Sequence, residues 1–307
     1  PTDLALAFNL LYGELGSEGS AVLEGVAREL AHDLLAEDKP PTEPGERVEL
    51  FARCVDLLPL ITGDTAASKG LVQYSLGLLE GVESANLTSE ELQTLGKTLA
   101  RAGRLSSSVL DHIVGGCSPD RLGLLEVALG SSLASSGRLR TFRSFLDDAR
   151  ALGAVTGKAP VDEVAEALDG ISGVSRGNAY GQGNALLVRF LQGTHQASKD
   201  DHEVLNRILP GAIGVYFGKH EEQAYSEANL PMTETLVRAV DGVLGPDSDG
   251  IESWLSKGVR SEILKARIQE ATKSLISGDP QPLIDVQVTP RDLRTVAEEA
   301  TENNLRG

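Results

Sequence analysis

The sequence predicts an all-α fold, an irregular helical repeat of α-solenoid type or a multi-helix bundle, with about twelve to fourteen helices. Three observations carry that expectation. Thr94–Leu105 reads TLGKTLARAGRL, and 34 residues later Ala128–Leu139 reads ALGSSLASSGRL, identical at seven of twelve positions. A period of that size is what stacked helix pairs produce. Apolar residues recur at helical spacing along most of the chain. Aromatic residues make up only 4%, with a single Trp, so the apolar positions fall to Leu, Ala and Val, a palette that suits helices better than strands.

The elements follow in order. Thr2 caps a first helix through Leu11, and Ser20 opens a second carrying Val22, Val26, Leu30 and Leu34 on one stripe. Lys39–Gly45 is a loop, because three prolines and a glycine cannot continue a helix. Glu46–Leu60 and Ala66–Val82 are apolar-striped helices. Thr88-Ser89-Glu90-Glu91 is a capping box ahead of Leu92, Leu95 and Leu99. In each copy of the echo the apolar stripe runs into a glycine, Gly103 or Gly137. There a left-handed cap would end the helix and Arg-Leu would open the next. Ser118-Pro119-Asp120 is a strong helix start, with a cap, a first-turn proline and an acid on the helix dipole. A break at Gly153–Pro160 precedes another helix.

Gly170–Asn184 holds five glycines in fifteen residues and reads as a loop or linker between a helical domain at 1–169 and a second at 185–307. Helices resume at Ala185–Leu191, Ser198–Leu209 and Thr233–Leu244. A long one follows from Ser248 to Ser277, and a short one starts at Thr289-Pro290. Leu283–Val288 alternates like a strand, and the apolar run Ala212–Phe217 fits either state.

The echo resembles a tetratricopeptide repeat, whose Leu-Gly on the first helix and later Gly fall on Leu129-Gly130 and Gly137. It departs where that family takes a small residue on the second helix, because Ser108 and Phe142 stand there. There is no third copy. The likeness implies paired helices and no particular chemistry.

Charge narrows the partners. The 45 acids against 28 bases leave −17, of which −9 falls in residues 1–150, so no basic region hides within an acidic average. Such a surface repels phosphate backbones and anionic lipid and suits a basic protein partner. No apolar run reaches membrane-spanning length and no secretion signal is visible, which suggests a soluble, cytoplasmic protein or a secreted effector. Cys54 and Cys117 form no CxxC and read as small buried thiols, with a disulfide left open.

No catalytic, cofactor or metal set stands out. His195, His202 and His220 come nearest to a ligand set, alongside Asp200, Asp201, Glu203, Glu221 and Glu222. Even so, His195 and His202 lie two helical turns apart, too far to share one ion. The pairs Asp147-Asp148 and Asp200-Asp201 lack the further acid that a magnesium-binding helix needs, since Ala151 and Val204 stand one turn on. Gly181-x-Gly183 is half a phosphate loop without its lysine, and Arg176 and Asn178 are ligand contacts only if that loop closes. The expected function is therefore non-enzymatic protein–protein interaction through an acidic helical surface, as scaffold, adaptor or effector. A self-assembling shell or coat subunit is the alternative. An enzyme or metal-binding protein using residues His195–Glu222 comes third.

Overall fold

A computed structural model describes residues 22, 24–36, 40–61, 66–135, 141–193, 199–224, 226 and 228–244. The expected helices at Thr2–Leu11, Ser248–Ser277 and after Thr289, the strand-like Leu283–Val288, and His195 lie outside the described residues. Those described are all-α, with twelve α-helices, three short 3-10 turns and no strand. The chain divides into two compact units, with the boundary between Glu163 and Val164.

Unit 1 contains α1 (24–36), α2 (Pro44–Leu57), α3 (Ala66–Leu78), α4 (Ser89–Leu105), α5 (Ser107–Gly115), α6 (Pro119–Ala134) and α7 (Phe142–Thr156). Helix α4 is its hub, packing on α2, α5, α6 and α7. The unit is thus a bundle around one central helix, not a row of hairpins that each touch only the next. The buried stripe Leu95, Leu99, Leu129 and Leu133 joins α4 to α6, none of the four exposing more than 1% of its surface.

The two copies of the echo therefore meet each other, yet their glycines differ. A Cβ on Gly96 would sit 2.4 Å from the Ala128 carbonyl oxygen and 2.8 Å from Ser132 Cβ, whereas one on Gly130 would meet nothing within 4 Å. Only the first copy's glycine lets two helix backbones touch. Gly103 is no cap. It lies inside α4, where a Cβ would come within 2.9 Å of Leu110 Cδ2, and the helix runs on to Leu105 before Ser106 ends it. Arg104 and Leu105 close α4 and do not open the next helix. Gly137, Arg138 and Leu139 are outside the described residues.

Local signals set the helix starts. The Thr88 hydroxyl accepts from the Glu91 amide at 3.3 Å while the Glu91 carboxylate accepts from the Thr88 amide at 2.7 Å, closing the capping box. Thr88→Ala is expected to cost unit 1 about 1 kcal/mol in urea unfolding. Helix α6 starts at Pro119 behind Ser118, as expected. Helix α2 takes in Pro44 and Gly45, so the early loop is shorter than its prolines suggest, because proline is at home in a helix's first turn.

Unit 2 begins with α8 (Val161–Ser172), whose first three residues precede the boundary, and continues with α9 (Tyr180–Gln192), α10 (Lys199–Lys219), α11 (Glu221–Ala224) and α12 (Leu230–Leu244). Helix α12 packs on α9 and α10. The apolar run Ala212–Phe217 is helical. It belongs to α10, which continues through Pro210 although that residue's missing N–H removes one bond of the ladder.

The glycine-rich stretch Gly170–Asn184 lies inside unit 2. It forms the end of α8, the 3-10 turn Val174–Arg176 and the first turn of α9. Gly173 adopts φ +66°, a left-handed value that ends α8. At Gly183 a Cβ would meet Val174 Cγ2 at 2.5 Å and the Ser172 carbonyl oxygen at 2.8 Å. These glycines make a tight helix-to-helix turn, and close approach is what they provide.

Candidate functional site

Among the described residues, unit 2 holds a buried polar network and unit 1 holds two half-open grooves.

The network centres on Asp169, in the last turn of α8 and only 4% exposed. It accepts from His220 Nε2 at 2.9 Å and from Ser175 Oγ at 2.6 Å, and it pairs with Lys219 Nζ at 2.7 Å. Lys219 also reaches Glu166 at 3.0 Å. Burial opposes ionisation of Asp169, but the hydrogen bonds from Lys219, Ser175 and His220 outweigh it and hold the carboxyl at about 2. The same bonds to Asp169 and Glu166 raise Lys219.

Beside this cluster the His220 ring stands edge-on to Tyr216, centroids 4.9 Å apart. Tyr216 donates to Asn184 Oδ1 at 3.0 Å, and burial pushes its phenol up, so it remains a neutral donor. Asn184 in turn donates to the Tyr180 carbonyl at 3.1 Å, and the Tyr180 hydroxyl lies 3.0 Å from Thr233 Oγ1. The set ties α8, α9, α10 and α12 together. Its serine bonds to the aspartate and not to the imidazole, so no base faces a nucleophile as acyl-transfer chemistry requires.

The first groove lies between α3 and α5, is about 930 Å³ in volume, and has Leu58, Ile61, Val72, Leu76 and Val109 in its lining. Its charged or titratable lining is Lys69 and His112. The second lies between the turn after α3 and the start of α6, is about 850 Å³, and has Leu79, Val82 and Leu124 beneath a rim of Glu80, Glu83 and Asp120, with Val127 exposed at its mouth. Arg121 also lines it and approaches Glu80 at 3.6 Å.

The chain matches no protein-family model, no curated protein and no solved structure.

The structure separates the histidines that the sequence brought together. His202 donates through Nδ1 to the Val243 carbonyl at 2.9 Å, while His220 sits on Asp169 beyond the far end of α10. Eighteen residues of helix put them about 27 Å apart. Among the described residues no three His, Cys, Asp or Glu side chains are grouped to hold a metal ion. The Asp147-Asp148 pair braces unit 1: Asp148 accepts from Ser132 Oγ at 2.9 Å and Asp147 from Arg104 Nη1 at 3.2 Å. Asp201 is buried, whereas Asp200 is exposed. Asn178 is exposed, and its side-chain amide donates to the Ser172 carbonyl at 2.8 Å. Cys54 is buried, Cys117 half-buried, and neither is in a disulfide. No helix among the described residues is long and apolar enough to cross a membrane.

Sequence reasoning missed Asp169, Lys219, Tyr216 and Asn184. In sequence, Asp169 and Lys219 look like any of the chain's other charged residues. The available hint was Tyr216, whose polar tip sits within an apolar run and needs a partner once buried.

Proposed function

We propose that this chain is a non-enzymatic docking protein, a scaffold, adaptor or effector that binds a protein partner through its acidic helical surface. One observation carries the reading. The buried charged groups at Asp169 and Asp148 are engaged with their own neighbours, while two grooves with apolar linings stand open among the described residues of unit 1. Preformed apolar concavities between helices receive side chains from a partner, most often along one helical stripe. An acidic exterior speeds encounter with a basic partner and rejects nucleic acid.

The test has two arms. Light scattering on the purified chain is expected to give a mass near the monomer's 32.4 kDa. Affinity capture with the full chain as bait, read by mass spectrometry and then rebuilt from purified components, is expected to yield a defined complex. A large closed particle formed by the chain alone would move the reading to a shell or coat subunit. A bait that binds nothing would end it.

A further inference from the structure

We infer that the groove at the start of α6 docks a basic, amphipathic helical segment of the partner protein. The inference rests on the docking reading above and supplies the partner's chemistry. Leu79, Val82 and Leu124 are the buried apolar lining, exposing 1%, 8% and 4%, and Val127 stands 47% exposed at the mouth. An open valine beside an apolar concavity is surface that an apolar side chain would cover with gain. Gly123, one turn before Val127 on the same face of α6, has nothing within 4 Å of where a Cβ would be, so a partner backbone has room to approach. From Pro119 to Val127 the helix offers about 12 Å of length, a match for roughly two turns of a partner helix.

Charge decides what that helix carries. Glu80 (side chain 77% exposed), Glu83 and Asp120 ring the groove against one cation, Arg121, leaving a net charge of −2 at the rim. Asp120 also faces the positive end of the α6 dipole and Glu80 lies 3.6 Å from Arg121, so the exposed Glu83 is the rim acid most available to a ligand. The α3–α5 groove has no carboxylate among its described lining residues, so the two grooves differ in the sign of partner they favour. The α6 groove suits an apolar stripe flanked by Lys or Arg, and its rim repels an acidic segment or a phosphate.

The probe is a fluorescein-labelled, roughly 16-residue Leu/Lys amphipathic peptide titrated with the full chain, with a Leu/Glu peptide of the same pattern as its mirror. The Leu/Lys peptide is expected to bind and the Leu/Glu peptide not. Val127→Glu, or Glu80→Lys with Glu83→Lys, should weaken binding by about tenfold or more. Glu221→Lys with Glu222→Lys, the same charge change on exposed residues of unit 2, should weaken it by less than about twofold. Circular dichroism melts of each variant confirm folding, which the exposure of these side chains favours. Equal losses from the groove pair and the unit 2 pair would overturn the inference, since the peptide would then be reading net charge. An unchanged Val127→Glu affinity, or no binding by the wild type, would overturn it too. The docking reading is judged separately. If Val127→Glu bait still retains the partner captured by wild-type bait, docking stands and this groove is excluded. If wild-type bait captures nothing, the docking reading itself falls.

Discussion

Asp169→Ala is expected to destabilise unit 2 by about 3–5 kcal/mol, measured by urea unfolding at neutral pH. The carboxylate is 4% exposed and takes hydrogen bonds from His220 and Ser175 and an ion pair from Lys219. Removing it leaves the buried imidazole without its partner and opens a small cavity. Lys219→Met is the milder change, about 1 kcal/mol, because that side chain is 38% exposed and its pairing is screened by water. An Asp169→Ala variant as stable as wild type would show that the network contributes nothing to the fold.

The same group sets an acid limit. Its folded value of about 2 lies below the 3.8 of a free aspartate, so the folded state binds fewer protons than the unfolded chain through that interval. The resulting stabilisation, on the order of 2 kcal/mol, is present above pH 3.8 and is lost as pH falls through about 2. The stability gap between wild type and Asp169→Asn should therefore narrow by about 1 kcal/mol between pH 6 and pH 3. A gap independent of pH would mean that the carboxylate's charge is not what unit 2 uses.

The second large effect lies at the echo. Gly96→Ala and Gly130→Ala are the same substitution at matching positions, and their effects should have opposite sign. At Gly96 the new methyl meets backbone, the Ala128 oxygen at 2.4 Å and its carbon at 2.8 Å, so α4 and α6 must move apart. Overpacking of this kind costs up to about 3 kcal/mol, which leaves a net loss of about 1–2 kcal/mol after the gain in helix propensity. At Gly130 the methyl meets nothing, and the propensity gain of about 1 kcal/mol remains. Thermal or chemical melts of the two variants decide it. Equal shifts would mean that the two helices do not cross at Gly96.

How much of this was legible in the sequence depends on how far apart the participants lie. The capping box at Thr88 and Glu91, the start of α6 at Pro119 and the helical state of nearly every described segment came from residues within a turn or two of one another. Their energetics are local: a hydroxyl finds an amide three residues on, and a proline occupies a turn whose N–H has no bond to lose. Pro210 shows the limit of that logic. A proline that ends a helix in isolation is absorbed inside α10, where Ile208, Leu209, Ala212 and Ile213 around it are all buried and packing outweighs one lost bond.

The candidate surfaces were not legible, and the reason is physical. Asp169 and His220 are 51 positions apart, Tyr180 and Thr233 are 53, and no periodicity within α8, α9 or α10 announces which polar side chains will face one another. The grooves likewise exist only where elements meet, as Leu79 and Val82 meet Leu124 and Val127. Neighbouring residues and composition fixed the helical state of the described residues, the strong acidity and the starts of α3, α4, α6, α8 and α10, because capping, propensity and net charge are local or compositional properties. Tertiary structure alone decided which of two identical glycines is a contact point, where the unit boundary falls, which carboxylate is buried with partners, and where an apolar groove stays open. Each of these is a distance between residues that the chain brings together only on folding.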